Sequence, residues 1–187
     1  MCCFLLLDQM LFFFKKLWLD IYGLRKLNFL KLCPSWFCVA VDSVGNSGGI
    51  LLGWNPNVGH FEASHLGIGI LLEGFFSGFS HPVSLLNVYG PYKDKVPFWQ
   101  EAGDAGILKL ESLIIGGDLN LSLNAREVWG VKASLDLQLD FFQNIFDESS
   151  LVDLLPSPLG PTWRNGRAGE AGIAKRLDRF LLNVQSF

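Results

Sequence analysis

A carboxylate and an amide two residues apart, Asp118 and Asn120, stand at the end of the apolar run "SLIIGGDLN". Ile114 and Ile115 read as the end of a buried strand and Gly116-Gly117 as a turn, since Gly, Asp and Asn are turn formers. At that spacing Asp118 and Asn120 can project to the same side. An ordinary turn accounts for them. So does an active-site edge, because open α/β sheets place chemistry at the ends of their strands. There a carboxylate can take a proton or hold a cation, and an amide N–H can bind developing negative charge. Two other places carry similar groups. "NVYGP" offers Asn87 and the phenol of Tyr89 ahead of a proline turn, and "RLDRF" sets Asp178 between two arginines. Singly, each reads equally well as a turn or an ion pair beside a strand.

Other candidates are poorer. His60 and His65 flank "FEAS" with Glu62 between them, and a five-residue spacing is not a ligand pair for a helix face. Cys2, Cys3, Cys33 and Cys38 match no zinc spacing, so free, partly buried thiols in a reducing compartment are expected. A net charge of -3 and a pI near 5.6 exclude a generally basic protein that coats nucleic acid. A local patch remains: Arg164, Arg167, Lys175, Arg176 and Arg179 outnumber Glu170 and Asp178 in one stretch. A solvated basic face is the plain reading of it, and a phosphate-backbone contact the sharper one.

What must position these groups is one domain's worth of chain. Its 187 residues are half apolar, enough to bury a real core. In the opening stretch Asp8 and Gln9 interrupt the apolar run, and the lysines follow it, unlike a signal peptide. No segment reaches the ~18–20 apolar residues of a spanning helix, so no membrane partner is expected. Residues 1–35 read as a divergent segment and 36–187 as the domain. From Trp36 onward, "WFCVAVDS", "GGILLGW", "LGIGILLEG" and "VSLLNVYG" read as strands covered on both faces. A helix is expected between Lys95 and Leu110, with Pro97 in its first turn. A second is expected over "SLDLQLDFFQNIFDES", capped by Ser134, with Leu135, Leu139, Phe142 and Phe146 on one face. "AKRLDRFLLN" reads as a last strand, and Trp54, Trp99 and Trp163 as core. The order of elements predicts α/β layers.

Taken together and in this order, "SGGILLGW", "LLNVYGPY", "LIIGGDLN", "FDESSLVDLLPSPLGPTWRNG" and "KRLDRFLLN" resemble the endonuclease/exonuclease/phosphatase, or DNase-I-like, superfamily. More narrowly they are similar to the endonuclease domain of plant non-LTR retrotransposons of the long-interspersed-element (LINE) type, over residues 36–183. The resemblance implies a two-sheet, four-layer α/β sandwich that cleaves DNA phosphodiesters with Mg²⁺. It implies that Asp118 activates or positions the attacking water and contributes to the metal site, and that Asn120 orients the phosphate. Tyr89 would donate to the phosphate with Asn87 in support, Asp178 would orient a histidine, and Arg164 and Arg167 would meet the DNA backbone.

The sequence also departs from that pattern. The family's opening asparagine and metal-binding glutamate have no counterpart: in "DQM", Met10 stands in the glutamate's place, and no glutamate precedes Glu62. No opening-strand pattern is visible in residues 1–35, and the last histidine is His81. An incomplete fold, without the first strands and the last strand motif, and an inactive copy are therefore expected. Beside a decayed gene fragment with no stable product, two other readings stay open. One is a small active phosphodiesterase or phosphatase that recruits Glu62 or Glu73 as a substitute ligand. The other is a non-catalytic nucleic-acid-binding or interaction remnant that uses the basic stretch near Arg176.

Overall fold

The central apolar runs bury both faces as strands, Gly49–Trp54 throughout and Val83–Tyr89 in all but its last residue, whereas Phe37–Val41 stays partly exposed. The computed structural model describes residues 3–6, 11–17, 35–42 and 49–183. Strands β1 (Cys3–Leu6), β2 (Leu11–Leu17), β3 (Phe37–Val41) and β4 (Gly49–Trp54) form one sheet in the order β1-β2-β4-β3. Strands β5 (Gly59–Leu66), β6 (Gly69–Phe76), β7 (Val83–Tyr89), β8 (Leu113–Asp118), β10 (Leu151–Asp153) and β13 (Asp178–Asn183) form a second, ordered β10-β13-β8-β7-β6-β5. A small third sheet, β11-β12-β9, joins Val128–Trp129 (β9), Trp163–Arg164 (β11) and Ala174–Lys175 (β12). Neighbouring strands are antiparallel except β7 and β8. Parallel neighbours need a crossover, and α1 (Lys95–Asp104) lies in it.

Alternation along the strands divides the core in two. Ile70, Leu72 and Leu85 meet Ile50, Leu52 and Trp54 of β4 between the two large sheets. Leu71, Leu86, Val88, Ile115 and Leu181 face the other way, onto α1 and α2 (Leu139–Glu148) through Trp99, Ala102, Phe142 and Phe146. The rings of Trp99 and Phe146 meet edge to face at 5.5 Å. Helices, six-stranded sheet and four-stranded sheet are three of the four expected layers. Among the described residues no helix covers the far side of the four-stranded sheet, and none is long and apolar enough to cross a membrane.

Local expectations fail in four places. Gly116 and Gly117 are not a turn but lie inside β8. A Cβ on Gly117, at φ 135°, would come 2.1 Å from the carbonyl oxygen of Val88, so a close approach to β7 requires the glycine. The first helix stops at Asp104, and only a 3₁₀ turn, Ile107–Lys109, follows. The second begins at Leu139 rather than beside Ser134, because the Asp136 carboxylate is committed elsewhere. It accepts from Ser122 N and Oγ at 2.8 and 3.0 Å and from the Lys95 ammonium. Leu135 and Leu137 are left exposed. Finally, Leu11–Leu17 supplies an interior strand of the first sheet, paired with β1 and β4, where no strand pattern was visible. Its run of leucine and three phenylalanines carries no alternation to mark it as strand rather than buried helix.

Candidate active site

Three of the predicted residues fall in one row. Asp118 ends β8, Tyr89 ends its parallel neighbour β7, and Asp178 begins β13 on the other side. Tyr89 is in register with Asp118, and Asp118 with Asp178. In such a row neighbouring side chains stand about 5 Å apart. The row shares the face of Leu85, Ile114 and Phe180, which looks into the space between the two large sheets. Asp118 and Asp178 are 5% and 2% exposed, and Tyr89 is half-buried.

The backbone at the end of the row is fixed by short local bonds. Asn120 adopts a left-handed conformation at φ 52°, and its N–H donates to Asp118 Oδ1 at 3.1 Å. Its Nδ2 donates to the carbonyl of Gly90, while the Gly90 N–H donates to the carbonyl of Asp118 at 2.7 Å. Gly90 is confined to glycine, since a Cβ there would lie 2.4 Å from the oxygen of Leu119. Asn120 thus ties the end of β8 to the loop leaving β7 with one amide hydrogen and keeps the second for another acceptor. Thr162, unmarked in the sequence beyond its place in "PTW", holds the opposite side. Its Oγ1 accepts from Leu177 N and Asp178 N, both at 3.0 Å, and so sets where β13 starts.

Asn87 lies one step deeper on the same face as Tyr89, opposite Gly116. It is 1% exposed, and neither its amide nitrogen nor its oxygen has a hydrogen-bond partner. A Cβ on Gly117 would lie 3.2 Å from its Oδ1, so the glycine pair of β8 gives this amide its room.

The basic stretch divides in a way the sequence did not indicate. Arg176 and Arg179 are 2% and 1% exposed. Arg176 Nη1 donates to Glu127 Oε1 and Asp153 Oδ2, both at 2.6 Å. Arg179 donates to Glu127 Oε2 and Asp153 Oδ2, also at 2.6 Å, and to the carbonyl of Leu121. Two cations and two anions close a neutral quartet, so the solvated face near Arg176 does not exist. Burial alone would raise the Glu127 pKa, but Arg179, the Leu123 amide and Arg176 outweigh it and hold the carboxyl below its ordinary value. For Arg176 the same contest ends above the ordinary value, with Asp153 and Glu127 outweighing burial. Arg164 and Arg167 stay exposed, lining an open recess of about 450 Å³ with Trp129, Asn165 and Ile173. Trp163, expected in the core, is 39% exposed beside them, because β11 belongs to the small sheet rather than to a packed layer.

No metal cage accompanies the row. Among the described residues no three His, Cys, Asp or Glu side chains converge where a metal ion could sit. Mg²⁺ commonly takes one or two carboxylates and completes its shell with water. Asp118 offers one carboxylate, and the described donors do not make a full site. Glu62 and Glu73 face each other across β5 and β6, but Glu73 pairs with Ser84, five residues along β7 from Tyr89. An odd offset puts them on the opposite face of the sheet, roughly 16 Å away along the strand. They cannot replace a ligand of the row. His60 and His65 lie on β5, three strands from β8, and His81 lies at the far end of β7, so none reaches Asp178.

No protein-family model and no curated protein matches the chain. Solved structures do. The endonuclease domain of TRAS1, a telomere-specific non-LTR retrotransposon, superposes with a TM-score of 0.61 at 16% identity, covering 81% of this chain and 68% of that one. The chain has the endonuclease/exonuclease/phosphatase, or DNase-I-like, fold. Two further structures of this fold are the 3′ phosphatase NExo from Neisseria, bound to a product DNA hairpin, and D. rerio TDP2, complexed with a single-strand DNA product. NExo gives a TM-score of 0.57 at 19% identity over 88% of this chain and 72% of its own. TDP2 gives 0.53 at 13% over 84% and 66%.

Proposed function

We propose that this chain carries the phosphate-facing part of a Mg²⁺-dependent DNA endonuclease site of retrotransposon, LINE-type origin, and that the 187-residue chain does not turn over. The row Tyr89–Asp118–Asp178 carries the reading. It sets a phenol donor and two buried carboxylates side by side at one end of a sheet whose fold is shared with the TRAS1 endonuclease domain. Tyr89 and the second amide hydrogen of Asn120 donate to the oxygens of a bound phosphate. In a complete site Asp118 would position the attacking water. Asp178, whose N–H donates to Thr162, would orient a histidine there. Asn87 backs Tyr89 from beneath, and Arg164 and Arg167 take the DNA backbone beyond Thr162. A Mg²⁺ held by Asp118 would supply charge neutralisation at the phosphate, but it would need further ligands that the described residues do not offer.

Silence follows from what stands in the other positions. By the sequence resemblance Met10, which lies outside the described residues, would take the glutamate's place, and the three histidines lie away from Asp178. Groups of one site act as a unit, so losing two of them removes nearly all of the acceleration. Binding of a short DNA duplex by the intact chain, followed by fluorescence anisotropy, tests the phosphate assignment. Tyr89→Phe and Asn120→Ala should each weaken it severalfold, whereas Glu62→Gln and Glu73→Gln should not. Equal affinities across all four would remove the row from phosphate recognition.

The reading as a non-catalytic nucleic-acid-binding remnant keeps one support. Arg164 and Arg167 remain exposed although the arginines of the quartet do not. It differs from the proposal only in history, and the same binding experiment serves it.

A further inference from the structure

Tyr92 is the most exposed aromatic side chain among the described residues, at 83%. Single exposed aromatics are ordinary on protein surfaces. What sets this one apart is its mounting. The five residues 90–94 join the end of β7 to α1, and both ends of that loop are pinned. At one end Gly90 is bonded through its N–H to Asp118 and through its carbonyl to Asn120, two members of the candidate site. At the other end Lys95 reaches Asp136. A ring three residues beyond Tyr89 is thus held out into solvent beside the row rather than left on a long, free loop.

One neighbouring charge suits a phosphate. Lys93, the next residue in the chain, is exposed. Asp94, also exposed, is the N-cap residue of α1 and makes no side-chain cap bond. Lys95 is neutralised by Asp136. A flat aromatic face beside a lysine is the pairing that single-stranded nucleic acid uses, with base on ring and phosphate on ammonium.

The geometry points to Tyr92 as a stacking platform for an unpaired nucleobase flanking the phosphate held by Tyr89 and Asn120, with Lys93 on the adjoining phosphate. This rests on the nuclease-derived reading of the row and adds a substrate feature to it: the site favours a strand whose base is unstacked next to the bound phosphate. Stacking of this kind tolerates any base, because every base has a π-face.

The test uses the intact chain and a short single strand carrying 2-aminopurine, alongside the same strand with an abasic residue at that position. Wild-type protein and Tyr92→Trp should quench the 2-aminopurine fluorescence on binding. Tyr92→Ala should lose the quenching and bind on the order of tenfold more weakly. On the abasic strand Tyr92→Ala and wild type should bind alike. Phe75→Ala, which removes another exposed aromatic at the far end of the sheet, should leave both readouts unchanged. Tyr92→Ala binding the 2-aminopurine strand as tightly as wild type would overturn the stacking role and leave the row's reading standing. No binding of either strand by the unsubstituted chain would overturn both.

Discussion

The motif "KRLDRF" feeds two regions of opposite character. Asp178 joins Asp118 and Tyr89 in a row that looks between the sheets, where Asn87 is buried with neither amide atom satisfied. Arg176 and Arg179, two residues before and one after, enter a quartet with Glu127 and Asp153 in which charge balances charge. One region is closed electrostatically and holds β10, β13 and the turn before β9 together. The other sets the Asn87 amide, which bonds to nothing, beneath a phenol and two buried carboxylates at a strand end, the arrangement expected where a ligand completes the site. A run of charges in sequence therefore says little about which side chain meets solvent, substrate or counter-ion.

The comparison can be broken most forcefully at the quartet. Removing one partner strands a buried charge, so Glu127→Gln or Arg179→Leu should cost about 3–5 kcal/mol in urea unfolding. Asp118→Asn keeps an oxygen for the Asn120 N–H and should change stability by no more than about 1 kcal/mol. Similar losses at both places would erase the distinction. Asn87→Leu should go the other way and stabilise the fold by about 1–2 kcal/mol, since it removes a buried amide that bonds to nothing. A destabilised Asn87→Leu would show that this amide is satisfied in the folded protein.

Acid titration sharpens the same contrast. Glu127 and Asp136 both have lowered pKa values in the folded state. For Asp136, burial opposes the shift, while Lys95 and Ser122 outweigh it. A lowered carboxyl contributes stability above its unfolded pKa, about 4.3 for Glu and 3.9 for Asp, that is lost as pH falls through the folded value. Stability should drop below about pH 4.3, and Glu127→Gln should flatten that slope by up to about 1.4 kcal/mol per pH unit. An unchanged slope would mean that the quartet is not what acid dismantles. The smallest stability effect is expected at the exposed arginines. Arg164→Ala should alter stability by less than about 0.5 kcal/mol and lower the salt dependence of DNA binding by about one phosphate contact. An unaltered salt slope would take Arg164 off the backbone.

Asp118 and Tyr89 stand out in the sequence as polar residues that end apolar runs, whereas Asp178, between Leu177 and Arg179, is singled out only through the family resemblance of "KRLDRFLLN". Nothing local marks the partners that decide the rest. Gly117 looks like half of a turn until β7 is beside it and its backbone approach to Val88 becomes visible. Ser134 looks like a cap until Asp136 is seen reaching Ser122 and Lys95, which moves the helix start to Leu139. Arg176 and Arg179 look solvated until Glu127, some fifty residues earlier in the chain, and Asp153 are folded against them. Thr162 carries no signal, because two backbone N–H groups on a distant segment give it its role. Helical and strand periodicity report which face is buried, and they do not report which polar groups find each other there.

The most direct measurement is nicking of supercoiled plasmid by the intact 187-residue chain in Mg²⁺, beside an EDTA control and Asp118→Ala. The account predicts a rate indistinguishable from both controls. Nicking by the wild-type chain that EDTA and Asp118→Ala each abolish would contradict it. The row would then belong to a working enzyme that finds its remaining groups by another route.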